Sequence, residues 1–283
     1  MKETTKITSG PIGIFDSGYG GLTILREIQQ AMPQYDYIYL GDNARAPYGT
    51  RSFDIVYQFT LEAVKYLFDQ GCQLVILACN TASAKALRTI QQNDLPGIDP
   101  SRRVLGIIRP TVELLGNLSQ NGNIGILGTP GTVQSRSYDM ETAKLHPSFN
   151  VYSQACPMWV PLVENNEADA PGADYFVKKY IDALFTQQAD IDTVILACTH
   201  YPILFDKIRQ FTPDTAQVIT QGEIIAHSLR DYLNLHPEMD ERCTRGGNTR
   251  YLTTENADKF TEMASLFLNR PIYATQISLK HNA

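Results

Sequence analysis

The chain has 283 residues, 43% of them hydrophobic and 19% charged, and a formal net charge of −6, with a pI of about 5.4. This balance excludes wholesale disorder and argues against nucleic acid as the main partner, because phosphate binding needs a basic face. No apolar run reaches the roughly 20 residues of a membrane-spanning helix, and no long apolar segment opens the chain as a signal peptide would.

Ile12 to Phe15 reads as a buried strand running into the glycine-rich turn Asp16-Ser17-Gly18-Tyr19-Gly20-Gly21. Leu22 to Met32 has helical spacing, with Leu22, Leu25 and Ile28 on one face and Pro33 as a stop. Tyr37 to Leu40 is the second strand, Ala46-Pro47-Tyr48-Gly49 a loop, Ser52 to Gln70 a long helix, Leu74 to Ala78 the third strand and Ala82 to Gln92 the next helix. The alternation implies βαβ units on a parallel sheet, with functional loops at the carboxyl ends of the strands.

After Gly106-Ile107-Ile108-Arg109-Pro110 the pattern restarts. Ile124-Gly125-Ile126-Leu127 echoes the first strand and ends in the turn Gly128-Thr129-Pro130-Gly131-Thr132. Val151 to Ser153 is a short strand before Cys156-Pro157, Asp174 to Phe185 a helix, Thr193 to Ala197 a strand and Ile203 to Phe211 a helix. The stretch Val75-Ile76-Leu77-Ala78-Cys79 recurs as Val194-Ile195-Leu196-Ala197-Cys198. That repeat is at domain scale, too long for a solenoid. The tail adds a helix (Glu223 to Leu235), a strand (Tyr251 to Thr253), a helix (Asn256 to Leu268) and a strand (Ile272 to Ala274). The expectation is an α/β protein of two similar domains, residues 1–106 with 220–283 and residues 107–219, each a mainly parallel sheet flanked by helices.

The five cysteines, odd in number and irregularly spaced, argue for a reducing cytoplasm over a disulfide framework. Cys79 and Cys198 each stand at a strand end before small polar residues, where backbone N–H groups and a helix terminus favour a thiolate. Buried free cysteines usually only pack, but packing does not place two of them at the same strand end of two repeats. One cysteine with a base performs nucleophilic catalysis. Two opposed cysteines can take a proton from one face of a carbon and return one to the other, which is racemisation. Asn80-Thr81 and Thr199-His200 are placed to hold carboxylates, Asp16-Ser17 to hold an ammonium, and His200 to tune or relay the Cys198 proton. A dinucleotide turn is excluded because Thr23 occupies the last glycine position of the motif. A zinc site is excluded by the lack of C-x-x-C and by the tight Cys198-x-His200 spacing.

These motifs in order resemble bacterial glutamate racemases over nearly the whole chain: Phe15 to Thr23, Tyr39-Leu40-Gly41-Asp42 with Pro47-Tyr48-Gly49, Ala78 to Ser83, Thr129 with Thr132, Cys156 to Glu164, and Cys198 to Pro202. The resemblance implies a cytoplasmic enzyme with no pyridoxal phosphate and no metal, two pseudo-symmetric α/β domains with the site in the cleft between them, and D-glutamate made for peptidoglycan synthesis, hence a part in cell-wall biogenesis and cell shape. It implies that Cys79 works on D-glutamate with help from Asp16, and Cys198 on L-glutamate with help from His200 and Glu164. Asp16, Ser17, Tyr48, Gly49, Asn80, Thr81, Thr132, Thr199 and His200 carry over as substrate contacts. Membrane and nucleic-acid partners are not expected; the family the chain resembles forms homodimers in several geometries, and no stretch here fixes the oligomeric state or selects one. The segment ahead of the first strand is short, so the cell-wall-precursor control that the family ties to a long N-terminal extension is not expected. The rival readings are an aspartate racemase, a binding protein that closes on an amino acid without chemistry, and a thiol hydrolase or amidotransferase using one cysteine with His200.

Overall fold

The computed structural model describes residues 8–279. Part of the N-terminal stretch read above for a signal peptide, residues 1–7, lies outside them. Ten strands follow in chain order: β1 (Ile12–Asp16), β2 (Tyr37–Gly41), β3 (Leu74–Leu77), β4 (Arg103–Gly106), β5 (Asn123–Gly128), β6 (Asn150–Ala155), β7 (Thr193–Ala197), β8 (Gln217–Ile219), β9 (Thr249–Thr253) and β10 (Ala274–Gln276). They form two sheets, ordered β10-β9-β2-β1-β3-β4 and β6-β5-β7-β8, and every ladder between them is parallel.

The two sheets share a plan. In the first, β1 lies between β2 and β3, with β4 outside β3; in the second, β5 lies between β6 and β7, with β8 outside β7. The faint repeat in the sequence is thus a repeated four-strand unit, and Cys79 and Cys198 follow equivalent strands. The chain leaves β1 toward one side and returns for β3 on the other. That reversal opens a crevice at the carboxyl ends of β1 and β3, where ligands of open parallel sheets bind. Strands β9 and β10, from the tail, extend the first sheet beyond β2.

Strands β1, β2, β3 and β7 are buried at every residue, which explains why they read as continuous apolar runs rather than alternating ones. Both faces of each sheet are covered. Val56, Val64 and Leu67 of the helix Phe53–Asp69 pack on Phe15, Ile38, Val75 and Leu77. Leu22, Leu25 and Ile28 of the helix Leu22–Ala31 pack on the opposite face in a core that continues into the second domain through Leu127, Trp159 and Leu196. The tail helix Gly222–Leu235 lies against Leu22–Ala31. No helix among the described residues is long and apolar enough to cross a membrane.

Several local expectations change. The helix after β3 starts at Asn80, not Ala82, and the α-helical run breaks at Ala86 into a three-residue turn and a π-helical stretch. The turn read after β5 is a short helix, Pro130–Ser135, capped by Thr129 and started by a proline whose missing N–H costs nothing at that position. The last strand lies at Ala274–Gln276 rather than at 272–274. Strands β4 and β8 and the helices Ser137–Leu145 and Trp159–Glu164 had no counterpart in the reading.

Candidate active site

Asp16 closes β1 and is completely buried; its Oδ2 accepts the Gly18 N–H at 2.8 Å, which folds the glycine turn back on the strand. After the equivalent strand of the other half, β5, comes Thr129. Cys79 and Thr129 both cap short helices through their side chains: the Cys79 sulfur accepts the Ala82 N–H at 3.5 Å, and the Thr129 hydroxyl accepts the Thr132 N–H at 3.2 Å. Those helices, Asn80–Lys85 and Pro130–Ser135, pack on each other across the boundary between the halves. Three hydroxyls tie that boundary: Thr81 lies 2.9 Å from Thr129 and 3.2 Å from Thr132, and Thr129 donates to Thr132 at 3.1 Å. The Gly131 N–H reaches across to the Gly49 carbonyl at 2.8 Å.

A cavity of about 70 Å³ lies between the two cysteine turns. Both thiols line it, with Ser17, Tyr48, Gly49, Asn80, Thr81, Glu164, Thr199 and His200. Asp16 and Thr132 stand behind its wall: Asp16 accepts the Thr199 hydroxyl hydrogen at 3.3 Å, and Thr132 meets Thr81. Thr129 faces the cavity in place of Thr132, a position that equivalence with Ser17 in the repeat could have picked out. A larger cavity, of about 630 Å³, shares no residue with this one and contains neither Cys79, Cys198 nor His200, so size does not mark the reactive site; chemistry does. Among the described residues no group of three or more His, Cys, Asp or Glu is placed to hold a metal ion.

The surroundings of the two sulfurs differ. The Cys79 thiol donates to Ser17 Oγ at 3.5 Å. The expectation of a lowered thiol pKa fails here: burial pushes Cys79 up to about 12, the Asp16 carboxylate adds to the rise, and the Ser17 and Ala82 hydrogen bonds offset only part of it. Burial likewise raises Asp16, against the opposing pull of His200 and of its own hydrogen bonds. Cys198 lies 4.0 Å from His200 Nδ1, and His200 Nε2 lies 3.1 Å from Glu164 Oε1. Burial disfavours a charged imidazole, but the hydrogen bonds to the Cys198 sulfur and the Glu164 carboxylate outweigh it and raise His200 to about 10. Cys198 therefore faces a proton-bearing ring backed by a carboxylate, and Cys79 faces a hydroxyl and a buried carboxyl.

Two glycines let the halves meet this closely. A Cβ on Gly20 would overlap Thr199 Oγ1 and the His200 ring, and one on Gly49 would stand 2.7 Å from Thr129 Cβ. Gly20 of the Asp16 turn thus admits the opposite cysteine turn. Two predicted substrate contacts have their polar ends engaged inside the protein. The Tyr48 hydroxyl donates to the buried Asp42 at 2.5 Å, so Tyr48 offers the cavity its ring and backbone. The Asn80 carboxamide is held by Gln221 and Tyr138.

The profile of the Asp/Glu/Hydantoin racemase family matches residues 21–228. A glutamate racemase of Ruegeria sp. (strain TM1040) is 40% identical over 271 residues, which cover 92% of this chain and 97% of that protein. The crystal structure of glutamate racemase isoform RacE1 from Bacillus anthracis superposes with a TM-score of 0.87 at 32% identity, covering 96% of this chain and 98% of that one. The glutamate racemase of Francisella tularensis in complex with D-glutamate superposes with a TM-score of 0.84 at 31% identity, covering 96% and 98%.

Proposed function

The chain belongs to the Asp/Glu/Hydantoin racemase family, and from that premise we propose that Cys79 and Cys198 interconvert L- and D-glutamate by a two-thiol exchange without a cofactor. The enzyme is an amino-acid racemase, an isomerase, and its D-glutamate serves peptidoglycan synthesis and the cell wall. The observation that carries the proposal is the placing of two thiols on one small cavity from equivalent strand ends.

With D-glutamate bound, the Cys79 thiolate removes the α-proton from one face while the Cys198 thiol protonates the other; with L-glutamate the roles reverse. Asp16, behind the wall, assists Cys79. His200 and Glu164 hold the proton inventory of Cys198, the imidazole supplying a proton to the sulfur or receiving one from it. Ser17, Gly49, Asn80, Thr81 and Thr199 hold the substrate's charged groups, Tyr48 packs beside them, and Thr132 acts through Thr81. Residues 1–106 with 220–283 form the half that supplies Asp16 and Cys79, and residues 107–219 the half that supplies Glu164, Cys198 and His200. The setting is cytoplasmic and the assembly a homodimer, which sedimentation of the purified protein tests.

The Cys198–His200–Glu164 relay is also the geometry of a thiol hydrolase, so the deciding experiment must involve both thiols. Purified protein is incubated with L-glutamate in D2O without added cofactor, while optical rotation and α-deuterium are followed, and the experiment is repeated with Cys79→Ala and Cys198→Ala. Racemisation predicts loss of rotation with deuterium entry, and a rate drop of about 10²–10⁴-fold in each variant. Full activity in either variant, or an acyl-enzyme that ignores loss of Cys79, would overturn the mechanism. Faster turnover of L-aspartate would move the substrate.

A further inference from the structure

Asn80 lines the thiol cavity, and its carboxamide belongs to a buried polar chain that leads away from it. That chain has a direction. The Thr111 hydroxyl donates to the Ile107 carbonyl at 2.8 Å, so its oxygen is left to accept. Gln221 Nε2 donates to Thr111 Oγ1 at 2.8 Å and to the Tyr138 hydroxyl oxygen at 2.9 Å, with the Ile107 carbonyl 3.5 Å away. Gln221 Oε1 must then face Asn80, whose Nδ2 donates to it at 2.7 Å. The Tyr138 hydroxyl closes the loop by donating to Asn80 Oδ1 at 2.7 Å. Thr111, Tyr138, Gln221 and Asn80 are all buried, so no solvent competes for these bonds. The Ile107 carbonyl, which accepts from Thr111 at 2.8 Å and lies 3.5 Å from Gln221 Nε2, thus biases the way the Gln221 amide, and through it the Asn80 amide, is turned. One Asn80 N–H remains uncommitted.

We propose that Gln221 is a positioning residue: it holds the Asn80 carboxamide so that the N–H left free donates to a carboxylate of the substrate in the thiol cavity. A freely turning amide would present a carbonyl oxygen to that carboxylate half of the time, and two acceptors repel. The network removes that choice before the substrate arrives, which is preorganisation in the ordinary sense. The four side chains come from separate elements: the first residue of the helix Asn80–Lys85, the helices Ile108–Glu113 and Ser137–Leu145, and the N-terminal cap of Gly222–Leu235. The orientation of Asn80 is therefore assembled only when both halves are in place. The inference rests on the glutamate racemase reading, which supplies the carboxylate.

The test is steady-state kinetics with both enantiomers on Gln221→Leu, Asn80→Ala and the double variant, with thermal melts to confirm folding. A contact made equally in the ground and transition states acts on KM, so Gln221→Leu should raise KM about tenfold while leaving kcat within about threefold. On the Asn80→Ala background the same substitution should add nothing, because there is no amide left to orient. Tyr138→Phe, which removes one hydroxyl, should raise KM about threefold and also lose its effect without Asn80; it serves if Gln221→Leu does not fold. An unchanged KM, a KM rise of equal size on the Asn80→Ala background, or a loss confined to kcat would overturn the role. Wild-type protein that fails to exchange the α-hydrogen of glutamate in D2O would take the racemase reading down with it. Wild-type exchange with an unmoved KM in Gln221→Leu would remove only the positioning role.

Discussion

Cys79 and Cys198 follow matching strands of two matching four-strand units, yet Cys79 opens the helix Asn80–Lys85 whereas Cys198 enters a turn that leads to the 3-10 segment Tyr201–Leu204. The helix offers the Cys79 sulfur only its Ala82 N–H, and the side chains left to it are Ser17 and, behind, Asp16. The open turn after Cys198 lets the second residue along, His200, swing back toward its own cysteine and reach Glu164. The scaffold repeats while the proton chemistry does not, because the difference arises in the few residues after each strand. A single sheet plan can therefore place two acid–base groups on opposite faces of one carbon and still tune them separately.

Because L- and D-glutamate are equally stable, kcat/KM must stay equal in the two directions for any variant. The asymmetry therefore shows in kcat for each enantiomer and in α-deuterium isotope effects. Among substitutions that keep both thiols, the largest effect is expected from His200→Asn, which should slow turnover by about 10²–10³-fold and enlarge the isotope effect with α-deuterated L-glutamate more than with the D form. Equal enlargement for both would show that the two branches are not distinct. Gly20→Ala should come next. Its methyl meets Thr199 and His200 across the boundary, and overpacking of this kind costs about 1–3 kcal/mol, read from denaturant midpoints. Turnover of L-glutamate should suffer more than that of D-glutamate. Asp16→Asn should slow turnover about tenfold, at the low end because Asp16 acts from behind the wall. It removes a charge that raises Cys79, so the acidic limb of the D-glutamate rate profile should move to lower pH.

Stability against pH separates the two sides further. The raised pKa of His200 means that its contribution to stability is complete below about pH 6.5 and is lost as pH rises through about 10. For Cys79 the window is higher: the contribution is complete below about 9 and is lost through about 12. Each group steepens the alkaline fall in stability by at most about 1.4 kcal/mol per pH unit. His200→Asn should flatten the lower part of that fall and Cys79→Ala the upper part, as measured by urea unfolding at stepped pH. The smallest effect belongs to the boundary that serves both thiols equally. Thr81→Val should cost about 1 kcal/mol in the unfolding midpoint, without favouring either enantiomer.

Much of this arrangement was legible in the sequence, and the exceptions have physical causes. Strands buried on both faces, such as β1, β3 and β7, announce themselves as apolar runs. Strand β8 has only three residues and β4 is partly exposed, so neither gives periodicity enough to read. The helix Ser137–Leu145 buries only Tyr138 and Thr142, and Trp159–Glu164 carries Pro161, which normally argues against a helix. Cys79, Cys198 and Asp16 could be found because their place at strand ends is a local property. The engagement of Asn80 with Gln221, and of Tyr48 with Asp42 in the midst of Arg45 and Thr254, depends on partners brought together only by the fold. The lowered thiol pKa expected at a helix end was a local argument as well, and burial, a property of the whole fold, reversed it for Cys79.

The contacts of Gly20 with Thr199 and His200, and of Gly49 with Thr129, carry a consequence for descent. Each joins a turn of one half to a turn of the other, far apart in the chain. At these two points neither half of the repeated fold can change alone. A side chain gained at position 20 or 49 demands a smaller or displaced partner at 199, 200 or 129. Paired substitutions at those positions are the covariation to look for among relatives of this chain.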